Sequence, residues 1–77
     1  MLLQINDSKD KTLTVVQVMM FEYEEDSDKF KIWDLCDNTA IVQAKNAYDA
    51  SSCLRSLYTN GRATLNDASI NWDNSEE

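Results

Sequence analysis

The most continuous apolar segment of the chain lies in its first third. The run from Leu13 to Tyr23 is rich in Val, Met and aromatic residues and contains neither Gly nor Pro, which favours a β-strand. A polar, turn-like segment at 6–11 precedes it. The first residues, Leu2 to Ile5, are therefore a candidate short strand that pairs with the long one as a hairpin.

Two further strands are predicted after an acidic connection. Polar and apolar positions alternate over 29–32, and Trp33 and Leu35 continue the β-rich composition, as expected for a strand that forms a long hairpin with the first one. Asp and Asn within 36–39 tolerate the backbone angles of a turn. Ala40 to Ala44 then completes a three-stranded meander.

The apolar period changes to that of a helix between Asn46 and Asn60. Asn46 is a candidate N-cap, Asp49 favours the helix N-terminus, and Gly61 is a natural left-handed stop. One helical face carries the apolar residues Ala47, Ala50, Leu54, Leu57 and Tyr58, bordered by Cys53.

Alternation returns after the helix, from Arg62 to Trp72. Its phase slips by one at Asn66 and Asp67, which predicts either a two-residue turn or a bulge in a single bent strand. Residues 73–77 form an acidic tail that we expect to be frayed. The chain is thus predicted to be one α+β domain over 1–77, an antiparallel sheet of four or five strands with one helix packed on one face, approximately β(β)ββαβ(β).

Strict alternation predicts that both faces of this sheet are apolar, and a single helix covers only one of them. The second face needs another cover: the C-terminal strands, a second copy of the chain, or a different protein. If a second copy covers it, the predicted dimer face comprises Val16, Val18, Met20 and Leu35.

Composition restricts the chemistry available to these 77 residues. The chain has no His, one Gly and two Cys, so it lacks the commonest acid–base group, a Gly-rich phosphate loop and a four-ligand zinc set. We expect no enzymatic activity, no metal and no cofactor. Without a signal-peptide pattern or an apolar run of ~18 residues, we expect a cytoplasmic protein that does not bind membranes. Cys36 and Cys53 would then be reduced.

The net charge of −7 argues against direct binding of nucleic acid and favours a basic partner. Five acids fall within seven residues at the predicted hairpin tip, namely Glu22, Glu24, Glu25, Asp26 and Asp28. Three interpretations of this cluster compete: a solvated tip that limits aggregation, a surface for a basic protein, or a calcium site, although the spacing is not that of an EF-hand. Candidate aromatic anchors beside the tip are Phe21, Tyr23 and Trp33.

The overall profile is similar to that of small acidic proteins of bacteriophages and mobile elements, including anti-restriction proteins, anti-CRISPR proteins and inhibitors of uracil-DNA glycosylase. The resemblance is one of composition over the whole chain and carries over no residue. It implies an inhibitor or modulator that occludes a basic, nucleic-acid-handling protein. The alternative hypothesis is a structural or adaptor subunit that homodimerises through an apolar sheet face, with its charge serving solubility.

Overall fold

Six strands and one helix follow one another in the computed structural model, which describes residues 1–24 and 28–73. In chain order they are β1 (Leu2–Asp7), β2 (Thr12–Tyr23), β3 (Lys29–Asp34), β4 (Thr39–Gln43), α1 (Ala47–Asn60), β5 (Arg62–Asn66) and β6 (Ser69–Trp72). The α+β class is confirmed. Within the described ranges, no helix is long and apolar enough to cross a membrane.

The sheet is mixed rather than wholly antiparallel, with the strand order β5-β1-β2-β3-β4-β6. Strands β1 to β4 form the predicted antiparallel meander, but β5 runs parallel to β1. The prediction of four or five antiparallel strands is matched in part: there are six strands among the described residues, and every pair except β1 with β5 is antiparallel. The helix causes the parallel pair, because it returns the chain to the start of β1, where the Leu2 N–H donates to the Gly61 carbonyl at 2.8 Å.

Strands β5 and β6 lie at opposite ends of the strand order, although only Asp67 and Ala68 separate them in the chain. The Asp67 backbone has a positive φ of 56°, and the Ala68 N–H still donates to the Asn6 carbonyl of β1 at 3.2 Å. The two edges of the sheet therefore meet at this corner, as in a small, partly closed barrel. A hairpin turn at Asn66 and Asp67 is excluded, because β5 and β6 pair with different strands.

A β-bulge at Met19 interrupts the side-chain alternation of β2. Val18 lies opposite Asp34, yet Met20 lies opposite Trp33, so β2 carries one extra residue. The extra residue moves every later side chain of β2 to the other face. The prediction of two apolar faces assumed unbroken alternation, and the bulge corrects it.

The inner face of β2 therefore carries even-numbered residues before the bulge and odd-numbered residues after it. Phe21 pairs with Ile32 and Tyr23 pairs with Phe30, and both partners are fully buried. The inward side chains of β2 are Val16, Val18, Phe21 and Tyr23, and the outward ones are Leu13, Val15, Gln17, Met20 and Glu22.

The helix has the predicted ends. The Asn46 side chain accepts from the Asp49 N–H at 2.8 Å, which satisfies one of the unpaired donors of the first turn. Gly61 adopts φ 72° and its N–H donates to the Leu57 carbonyl at 3.1 Å. This left-handed conformation carries little steric cost only in glycine.

The core lies between the concave side of the sheet and the helix. The helix contributes residues at the spacing of one face, namely Ala50, Cys53, Leu54 and Leu57. The largest fully buried side chains of the sheet are Leu3, Ile5, Val18, Phe30, Ile32 and Val42. Ala47 and Tyr58, predicted for the same helical face, are exposed at the two ends of the helix.

Candidate partner-binding surface

The predicted acidic tip is described only in part, because Glu25 and Asp26 lie outside the described residues. Glu22 is exposed on the outer face of β2, opposite Lys31 of β3. Glu24 is exposed immediately after β2, and Asp28 is half-buried beside the start of β3. The carbonyl of Asp28 accepts from the Ala44 N–H at 3.0 Å, which joins the tip end of the hairpin to the end of β4.

The outer side of the β2–β3 hairpin carries charges of both signs, which the sequence analysis did not anticipate. Lys31 stands between Glu22 and Ile41 on the outer face, and its ammonium nitrogen lies 5.1 Å from the centre of the Trp33 ring. Such an approach is an attractive cation–π contact. The alternation of Lys29, Lys31 and Trp33 in the sequence was the available signal, since alternate residues of a strand share a face.

The three predicted aromatic anchors do not share a face. Phe21 and Tyr23 are half-buried and pack against the core from the inner side. The Phe21 ring meets the Tyr58 ring edge-on, with centroids 5.3 Å apart and planes at 78°. Trp33 points to the outer side, opposite Met20. The structure therefore brings only Trp33 together with the outward carboxylate of Glu22.

The four residues of the predicted dimer face are divided between the core and the outer side of the sheet. Val16 and Val18 are buried in the core beneath the helix, because even-numbered residues before the bulge point inward. Met20 and Leu35 lie on the outer side, where they are 45% and 62% exposed. The outer face also exposes the large apolar side chains of Leu2, Leu13, Val15 and Ile41, beside the charged side chains of Glu22 and Lys31.

A tight turn after β3 is held by the carboxylate of Asp34. One carboxylate oxygen accepts from the Cys36 N–H at 2.9 Å and from the Asn38 N–H at 2.8 Å, and the other accepts from the Asn38 side-chain amide at 3.2 Å. Desolvation raises the pKa of Asp34, but the hydrogen bonds from Asn38 and Cys36 together outweigh it, so the pKa lies below its ordinary value of 3.8. Asp37 takes the positive φ of 68° that the turn requires.

The two cysteines differ in environment. Cys36 is exposed in this turn, whereas Cys53 is buried against the core. Desolvation raises the pKa of the Cys53 thiol to about 12, so Cys53 stays a neutral, apolar side chain at neutral pH. Within residues 1–24 and 28–73, no group of three or more Cys, Asp or Glu side chains is arranged to hold a metal ion.

An open cleft of about 500 Å³ lies where the β1–β2 turn meets the β5–β6 corner. The Lys45 ammonium lies 3.6 Å from the Asp49 carboxylate and 3.8 Å from that of Asp67, and the Ser8 hydroxyl donates to Asp67. These contacts tie the helix start to the corner. They are exposed, and exposed ion pairs contribute little to stability.

We find no protein family, no curated protein and no solved structure that matches this chain.

Proposed function

We propose that this chain is a non-enzymatic interaction protein that binds a basic protein through the outer surface of the β2–β3 hairpin. The observation that carries the proposal is the arrangement of apolar and charged side chains there. Met20 lies opposite Trp33, Glu22 opposite Lys31, and Lys31 opposite Ile41. We call Met20, Glu22, Lys31, Trp33 and Ile41 the hairpin surface.

The composition of the hairpin surface resembles that of a specific interface. Met20 and Ile41 are exposed, and Trp33 is half-buried beside them. Aromatic and Met side chains are enriched at the centres of interfaces, where they supply most of the binding energy, and polar groups surround them. A surface of this kind supports recognition better than a solely solubilising role for the acids.

Charge favours a basic partner. Residues 22–31 contain five carboxylates against two lysines, and the chain as a whole has a net charge of −7. Proteins that handle nucleic acids present clustered Lys and Arg side chains to phosphates. An acidic surface attached to an apolar centre is complementary to such a cluster, so the proposed activity is occlusion of a nucleic-acid-binding surface.

The test is affinity capture of partner proteins by the wild type and by two double variants, each of which removes two negative charges. Glu22→Gln with Glu24→Gln removes two hairpin charges, whereas Asp10→Asn with Asp73→Asn removes two exposed charges elsewhere. We expect basic nucleic-acid-binding proteins captured from a native lysate by the wild type to be lost with the first variant and retained by the second. Their binding should also weaken with added salt.

Competition with nucleic acid tests the mode of binding. Double-stranded DNA added to a captured partner should displace the chain if both occupy the same basic surface. Equal capture by the two variants, or capture that does not change with salt, would contradict the proposal. Capture that DNA leaves unchanged would contradict occlusion.

A further inference from the structure

Among residues 1–24 and 28–73, one stretch of β2 has no neighbouring strand on the side that faces β3. The ladder between β2 and β3 ends at the pair Val18 and Asp34, where the chain turns towards β4. Met1 and Val18 exchange both backbone hydrogen bonds, at 2.7 and 3.2 Å. In an antiparallel pair, every second residue bonds to the neighbouring strand. The backbone N–H and C=O groups of Leu13 and Val15 therefore point away from β1, towards the side on which β3 has already ended.

This open edge carries neither a charged side chain nor a proline, two features that often protect an edge strand. Residues 12–21 contain no charged residue and no Pro, although charges and Pro are the common means of preventing edge pairing. The edge borders an open groove of about 260 Å³ whose lining includes Val15, Gln17, Leu35 and Trp72. This groove lies beside the half of β2 that precedes the bulge.

The most exposed aliphatic side chains of the described residues surround this edge. Leu13, Val15 and Leu35 are 60%, 55% and 62% exposed. Leu13 and Val15 point to the outer face of β2, and Leu35 follows the end of β3. Apolar side chains grouped beside unpaired backbone groups are typical of an interaction site rather than of a solvated edge.

We propose that the open edge of β2 pairs antiparallel with the same edge of a second copy of the chain. In the symmetric register that avoids β3, Leu13 of each copy lies opposite Val15 of the other, and the two Thr14 residues face each other at the two-fold axis. A two-fold interface requires a self-complementary surface. An uncharged strand that exchanges identical backbone hydrogen bonds meets that requirement.

Charge complementarity supports the same arrangement. The antiparallel register places Lys11 of one copy, which directly precedes β2, opposite Gln17 of the other, next to Asp34 where the β3–β4 turn begins. That turn carries the exposed Asp37, and the β1–β2 connection carries Lys9, Asp10 and Lys11, a net charge of +1. The symmetry repeats these contacts, so two lysine-bearing turns meet two aspartate-bearing turns. Such attraction offsets part of the repulsion between two chains of net charge −7.

The self-association is independent of the proposed function, because the hairpin surface lies beyond the bulge on the other half of β2. Analytical ultracentrifugation of the purified chain, with no other protein present, measures it. The wild type should show a monomer–dimer equilibrium as its concentration rises. Val15→Lys should raise the dissociation constant ~10-fold or more, because it replaces the apolar contact with Leu13 of the second copy and because lysine on an edge strand disfavours pairing.

Ile41→Lys is the matched control, since it places the same charge on an exposed outer position of β4. Both substitutions reduce the net negative charge equally, so a general charge effect would favour association in both. We expect Ile41→Lys to leave the dimer intact. A wild type that stays monomeric, a dimer that survives Val15→Lys, or a dimer that Ile41→Lys also dissociates would each overturn the proposal.

A disulfide test decides the matter if Val15→Lys fails to fold. In a Cys36→Ser background, Thr14→Cys should form a cross-linked dimer under mild oxidation, because facing residues of a non-hydrogen-bonded pair have Cα atoms about 4.5 Å apart, within disulfide range. Thr12→Cys should not, because Thr12 would face Val16 of the second copy. Cross-linking of both variants alike, or of neither, would contradict the register.

Discussion

The β-bulge at Met19 leads us to predict very different stability costs for truncating two even-numbered residues of β2, Val18 and Met20. Val18 is 1% exposed beneath the helix, whereas Met20 is 45% exposed on the outer face. Without the bulge, Val18 and Met20 would share a face. We therefore compare Val18→Ala with Met20→Ala, which end in the same residue.

Truncation of Val18 should be much the more costly change. It removes two buried carbon atoms at ~0.8 kcal/mol each, and the cavity it leaves adds to this, for a total of about 2–3 kcal/mol. A chain of this length is expected to have a free energy of unfolding of roughly 4–11 kcal/mol. Met20→Ala should cost under ~1 kcal/mol, because much of the side chain is already in water and no closed cavity results.

Urea unfolding followed by tryptophan fluorescence measures both costs. The unfolding midpoint of Val18→Ala should fall by about 1 M or more, with little change in the slope. Its Tm should fall by at least ~8 °C. Equal destabilisation by the two substitutions, or a larger effect of Met20→Ala, would refute the placement of the bulge and the assignment of Val18 to the core.

Three further predictions concern the helix start, the β3–β4 turn and the thiols. Asn46→Ala should destabilise the fold by ~1 kcal/mol in thermal unfolding, because the cap to the first turn is lost; an unchanged Tm would contradict the cap. The pKa of Asp34 is lowered on folding, so its stabilising contribution is complete above the ordinary value of 3.8 and is lost as the pH falls through the lower folded-state value. The stability difference between the wild type and Asp34→Asn should accordingly shrink on acidification, and a constant difference between neutral and strongly acidic pH would refute this. In the native state Cys36 should react rapidly with a thiol reagent and Cys53 only on unfolding, since burial raises the pKa of Cys53 to about 12; mass spectrometry of the labelled chain distinguishes the two sites.

The local elements were predictable because short-range signals specify them. Asn46 and Gly61 mark the ends of the helix through cap chemistry that involves only their own neighbours. The β2–β3 hairpin and the strand after it follow from alternation and from turn residues such as Asp37, whose positive φ the structure shows. Each of these predictions needs no information about distant parts of the chain.

The candidate surfaces were predictable only in part. The sequence located the acids of the hairpin, but it assigned Phe21 and Tyr23 to the same candidate surface as Trp33. The bulge places those two rings on the inner side. Val18, which precedes the bulge, lies in the core. In β2, apolar residues occupy both odd-numbered and even-numbered positions. Either set could be buried, so the sequence does not reveal that one residue is inserted.

The sequence by itself determined the class of the fold, the helix with its two ends, the meander and the position of most of the acidic charge. Only the tertiary structure decided that β5 runs parallel to β1, that β5 and β6 separate to opposite edges, and that β2 changes phase at Met19. Helix caps and alternation depend on residues a few positions apart. Strand order and register depend instead on which distant segments best bury the apolar side chains together, and that competition is settled only when the whole core packs.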